Sequence, residues 1–132
     1  AKQQFVRELL TTKQQVIGDS GGLIAEGRDI GTSVFPNADV KIFLTASPKE
    51  RAKRRSLDLE SKGYKFSSIK NLEQDIKERD RKDSEREISP LKKADDAIEL
   101  VTDGMKIEEV LKELTYIFKS KIPEEVWPTT NL

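Results

Sequence analysis

Neither cysteine nor histidine occurs in this 132-residue sequence. Disulfides, thiolate nucleophiles, cysteine–histidine zinc sites and histidine-based triads are therefore excluded within it. A surplus of charge of either sign is also absent, because 24 Lys and Arg balance 24 Asp and Glu. Neither a nucleic acid nor an anionic membrane is then an expected partner. No apolar run approaches the ~20 residues of a membrane span and no signal peptide is visible, so a soluble, cytoplasmic protein is expected. The one methionine is Met105, and the chain opens mid-pattern on AKQQFVRELL, so a longer parent protein is expected at least as much as an initiator Met removed before Ala1.

What the sequence has in quantity is charge: 36% of residues are charged and 35% apolar. That balance suits one domain with long helices whose outer faces are solvated, large enough to bury roughly two-thirds of its unfolded surface. It also makes any single charged residue a weak pointer to function.

Residues 2–17 place Phe5, Leu9, Leu10 and Val16 near helical spacing, and GDSGG (Gly18–Gly22) ends that helix. Leu23–Glu26 reads as a short buried strand, followed by a sharp turn carrying Arg28 and Asp29 and then a loop. Val40–Leu44 reads as a second strand, rich in β-branched and aromatic residues. Ser47-Pro48-Lys49-Glu50 is a helix start, with Ser as cap and Pro at the first position. That helix runs to about Lys62 and ends at Gly63; after a break, Ser67 or Ser68 caps a second charged helix over about Ile69–Arg86. Ile69, Leu72 and Ile76 form its apolar side. Ala97–Val101 reads as a third strand. A last helix over about Lys106–Ser120 lines up Ile107, Val110, Leu111, Leu114 and Ile117 with Phe118. The tail IPEEVWPTTNL is expected to be extended, with Trp127 as its anchor. The order α-β-β-αα-β-α predicts an α/β layered domain with a parallel sheet.

Three arginine-bearing places stand out. In open α/β sheets ligands bind beyond the carboxyl ends of the strands, which is where Arg28 and Asp29 fall. Arg51, Arg54 and Arg55 lie at i, i+3 and i+4 of the first charged helix. Arg79, Asp83 and Arg86 lie within about 60° of one another on the second. If the two helices pair as a hairpin, the three sets can converge. Converging guanidinium forks suit a phosphoryl group, while a carboxylate among them would accept from a sugar hydroxyl or a base amino group. Phosphoryl transfer asks little covalent chemistry of a protein, so the missing His and Cys are no obstacle. The same residues also read as a surface Arg–Asp pair and ordinary i,i+4 helix pairs.

EGRDIGTSVFPNADVKIFLTASPKERAKRR and IKERDRKDSEREISPLKKADDAIEL resemble the C-terminal part of bacterial cytidylate kinase. The resemblance extends to about Lys119. It implies a P-loop nucleoside monophosphate kinase fold, a parallel sheet flanked by helices. The implied reaction is transfer of the ATP γ-phosphate to CMP or dCMP, with Mg²⁺ and a cytoplasmic setting in pyrimidine nucleotide metabolism. By position, it puts Arg28 on the CMP phosphate and Asp29 on the cytosine edge. Arg79 and Asp83 come near the pentose and the transferring phosphates, and Arg86 at phosphate. A short lid over about 51–86 would bring Arg51 and Arg55, with Arg54, to the ATP side; Arg79, Arg86 and Arg55 are the expected catalytic residues. Residues 1–120 would be the C-terminal part of the kinase core and 121–132 an extended tail. No G-x-x-x-x-G-K-[ST] segment occurs in the sequence: GDSGG has no Lys, and GRDIGT lacks both spacing and Lys. The phosphate loop, with the segment that inserts for CMP, is then expected in a missing N-terminal half of the same enzyme. The 132 residues alone would be inactive, with an exposed sheet edge or an apolar gap where the first strand belongs. The tail IPEEVWP resembles the end of the cyanobacterial fusion of pantothenate synthetase with cytidylate kinase. A catalytically inactive nucleotide-binding or interaction module is the alternative.

Overall fold

A computed structural model describes residues 3–127. Among these residues four α-helices and two strands follow one another: α1 (Gln4–Gly18), β1 (Ile42–Thr45), α2 (Pro48–Ser61), α3 (Ile69–Glu85), β2 (Ile98–Val101) and α4 (Ile107–Lys121). No helix among the described residues is long and apolar enough to cross a membrane.

The helix starts follow local chemistry. The Ser47 hydroxyl accepts from the Glu50 amide (3.2 Å) with Pro48 at the first helical position, and the Ser68 hydroxyl accepts from Asn71 (3.1 Å). Either cap is worth about 1 kcal/mol. Gly63, with φ +73°, closes α2 in the left-handed region that favours glycine. At α4 the Glu109 carboxylate accepts from the Lys106 amide (2.6 Å), placing acid at the positive end of the helix dipole.

β1 and β2 pair in parallel, Ile42 opposite Ile98 and Thr45 opposite Val101, as the α-β-β-αα-β-α order leads one to expect. The crossover between them is the α2–α3 pair, which packs as a hairpin. Leu23–Glu26 is not a strand. A strand needs a neighbour for its N–H and C=O groups, the described sheet holds only β1 and β2, and Ile24 stands 97% exposed. The loop after Asp29 also differs from expectation: Ile30–Val34 is one π-helical turn, in which the Phe35 amide donates to Ile30 O (2.7 Å). Gly27 permits it, since a Cβ there would meet Ile30 Cγ1 at 2.6 Å. The tail is a 3₁₀ turn at Glu124–Val126 and not extended there. Trp127 does anchor it, donating Nε1–H to Ile122 O (2.8 Å) beneath the Lys119 ammonium. Residues 128–132 lie outside the described residues.

The core is thin. Val34, Ala46, Ala52 and Ile117 are its buried apolar residues among those described, with no large side chain fully enclosed. Buried Ser56 and Thr102 are both satisfied, Ser56 donating to Lys53 O (2.7 Å) and Thr102 to Thr45 O (3.2 Å). The accessible surface is 10451 Å², against about 7,000 Å² for a compact monomer of this mass. The expectation of two-thirds burial is therefore not met.

Candidate functional site

The site is assembled from the turn before the π-helical segment and the C-terminal half of α3. Arg28, on that turn, donates through Nη1 to the Asp83 carboxylate of α3. Asp83 also faces Arg79 Nε at 4.0 Å and Arg86 Nη1 at 3.7 Å. One carboxylate thus gathers guanidinium groups from two separate stretches of chain. Helical spacing explains part of this, since Arg79 and Asp83 share a face of α3 and Arg86 follows its last turn. Arg86 stands at the end of α3, where its Nε donates to Ser89 O (2.5 Å) and the Leu91 amide returns to Asp83 O (2.8 Å).

The α2 side joins through Asp80. Arg51 grips Asp80 with both terminal nitrogens, Nη1 at 2.9 Å, while its Nε donates to Ala46 O (3.0 Å) just beyond β1. Asp80 is held below the usual carboxylate range, first by its hydrogen bonds from Arg51, which outweigh the opposing effect of burial, and then by the charges of Arg51, Arg28 and Arg79. The Arg28 pKa is lowered, first by burial and then by Arg79, with Asp80 opposing and Arg86 and Arg51 adding to the decrease. Arg28 thus senses the guanidinium groups of Arg51, Arg79 and Arg86, with Asp80 and Asp83 standing among them and Asp103 acting on Arg51 from one side. The cluster keeps a surplus of positive charge suited to a phosphate.

Other residues singled out in the sequence go elsewhere. Asp29 accepts from Arg7 Nη1 of α1 at 3.1 Å, both side chains being mostly buried. Arg54 turns to the end of β2, donating to Thr102 Oγ1 (3.0 Å) and Thr102 O (2.6 Å), and to Glu50 (3.2 Å). Arg55 points outward to Asp58 at 3.4 Å. The three arginines of α2 thus diverge. Beside Arg7 lies an open cleft lined by residues of α1 with Ser33, Ile88 and Ser89.

Sequence reasoning passed over Asp80 and Arg7. Neither has a spacing signal: Asp80 sits in a run of alternating charges, and its partner is 29 residues away. Arg7 lies on an amphipathic helix, 22 residues from Asp29. No group of three His, Cys, Asp or Glu side chains among the described residues is placed to hold a metal ion.

A family model described as cytidylate kinase matches residues 1–120. Among curated relatives, the bifunctional pantoate ligase/cytidylate kinase of Prochlorococcus marinus (strain NATL1A) is 79% identical over 131 residues, 99% of this chain and 25% of that protein. The protein of the same description from Prochlorococcus marinus (strain MIT 9303) is 58% identical over 124 residues, 94% of this chain and 25% of its own. That from Synechococcus sp. (strain CC9311) is 56% identical over 129 residues, 98% and 26%. The chain spans about a quarter of the length of the curated relatives it matches.

Proposed function

This chain belongs to the cytidylate kinase family, and from that premise we propose that it forms the acceptor and lid side of an enzyme that phosphorylates CMP or dCMP with ATP. The enzyme is the kinase part of a bifunctional protein like the relatives named above. The observation that carries this reading is the junction of Arg28 with Asp83, Arg79 and Arg86.

In the reaction a phosphate oxygen of CMP forms a bond to the γ-phosphorus of ATP, and the bond from that phosphorus to the β,γ-bridging oxygen breaks, leaving ADP and CDP. Arg28 and Arg86 hold the CMP phosphate, and Arg79, 71% exposed, extends to the transferring group. Asp83 orients these guanidinium groups and accepts from a pentose hydroxyl. Asp29, steadied by Arg7, accepts from the cytosine amino group. Arg55, the most exposed of the α2 arginines, serves the ATP side. Arg51 and Arg54 spend several donors on protein partners and face those partners instead of the ATP side.

The family implies Mg²⁺ with the ATP. Asp80 and Asp83 are both engaged by guanidinium groups, and no other cluster of donors is present among the described residues. These residues do not make a Mg²⁺ site, and no step here runs through the ion. Nor do these 132 residues contain a G-x-x-x-x-G-K-[ST] segment to cradle the β- and γ-phosphates. The polypeptide of residues 1–132 on its own is therefore inactive in this reading.

The test is ADP release by the whole enzyme with CMP, UMP or AMP as acceptor. CMP is the expected preference, and Asp29→Ala is expected to relax it. An unchanged preference in that variant overturns the base-reading role. CDP formation by residues 1–132 alone overturns the division of labour. Binding of CMP without turnover by the whole enzyme favours a non-catalytic nucleotide-binding module.

A further inference from the structure

One side chain, Arg51, ties the α2–α3 hairpin to the end of β1. Arg51 Nε donates to Ala46 O at 3.0 Å, while both terminal nitrogens reach across to Asp80 of α3. A guanidinium offers five N–H donors in a fixed plane, and at least three of these are committed here. Arg51 is thus oriented from two sides, by a backbone carbonyl just beyond the strand and by a carboxylate on the neighbouring helix. A bidentate Arg–carboxylate pair defines direction as well as distance. Asp80 directly follows Arg79 and lies one helical turn before Asp83 and two before Arg86. What fixes Asp80 therefore also fixes the rotation and height of that part of α3 against Arg28.

We propose that Asp80 is a positioning residue for phosphoryl transfer: gripped by Arg51, it sets α3 against the end of β1 so that Arg79, Asp83 and Arg86 meet Arg28. This rests on the kinase reading above. Asp80 touches neither substrate; it acts through Arg51. The alternative for such a pair is a strut that adds only stability, and partly exposed ion pairs often add little even of that. The two roles separate in kinetics.

The experiment uses the whole enzyme, with Asp80→Asn, Asp80→Glu, Arg51→Met and the Asp80→Asn/Arg51→Met pair. Steady-state kinetics with CMP and ATP are read together with the thermal midpoint. Small misplacements of a catalytic group cost up to about 100-fold in rate. We expect kcat in Asp80→Asn to fall by about 30-fold, with each KM changing by less than about threefold. Asp80→Glu, which keeps the carboxylate, is expected to recover most of the loss. In the paired variant the effects should not multiply, because both substitutions cut one link. A lowered midpoint with unchanged kcat overturns the proposal, as does multiplication of the two effects. Failure of the wild-type enzyme to turn over CMP overturns the kinase reading itself, whereas normal wild-type turnover with an unimpaired Asp80→Asn overturns the positioning role alone.

Discussion

The α2–α3 hairpin and the helices that flank it, α1 and α4, are built on opposite terms. The hairpin is almost wholly polar, yet its charges find partners: Arg51 with Asp80, Arg54 with Glu50 and Thr102, and Arg81 with Glu78 and Glu85. α1 and α4 have the well-formed apolar stripes, but that of α1 is largely exposed, with Phe5 at 74%, and that of α4 is exposed at Ile107 (76%) and Leu111 and buried only at Ile117. Apolar periodicity alone would have placed the closest helix packing at α1 and α4, yet among the described residues the helices that pack together are the ionic pair α2 and α3. An amphipathic stripe records what a helix is suited to cover, not what it covers in this chain.

Three substitutions press on that contrast. The largest effect is expected on the ionic side: Arg28→Ala in the whole enzyme removes the guanidinium that joins the turn to Asp83, and loss of a preorganised donor to a phosphoryl group costs on the order of 10²–10³ in rate. Steady-state kcat/KM for CMP measures it, and a loss below tenfold would detach the cluster from the chemistry. Next comes Ala52→Leu, at a fully buried position of α2. Overpacking there is expected to cost about 1–3 kcal/mol, read by urea unfolding of the 132-residue chain, whereas an unchanged midpoint would show that the hairpin is loosely seated. The smallest effect should come from the apolar side. Phe5→Ser, at a position of the α1 stripe 74% exposed, is expected to change the stability of the same chain by less than about 0.5 kcal/mol. A loss of about 2 kcal/mol or more would mean that Phe5 is covered in solution and would erase the contrast.

How much of this was legible in the sequence varied with the reach of the interaction. Ser47-Pro48 and Ser68 are readable because a cap is made within three residues. β1 and β2 are readable from their β-branched and aromatic content. Leu23–Glu26 has the right composition for a strand, but composition cannot say whether a neighbouring strand is present to pair with it. The π-helical turn at Ile30–Val34 leaves no periodic mark in five residues. At the site, the shared face of Arg79 and Asp83 follows from helical geometry, and Arg28 follows from its place in the strand-end turn. Their junction spans 55 residues and depended on the hairpin forming. The divergence of Arg51, Arg54 and Arg55 was not visible, since i, i+3 and i+4 share a face at the backbone while long side chains go to their nearest acceptors. Asp80 and Arg7 were hidden for a related reason: in a chain so rich in charge, the pairs that matter look like the pairs that do not.

The crossover has a consequence for the order in which this region takes shape. Asp103 accepts from the Ser47 amide across 56 residues, and the parallel ladder of β1 and β2 joins segments about as far apart. A loop of that size is entropically costly to close before any contact across it forms. The hairpin shortens the gap by folding the intervening chain back on itself, using contacts between helices adjacent in sequence. Helix pairing is therefore expected to precede strand pairing, with the Arg51–Asp80 link formed as the hairpin closes.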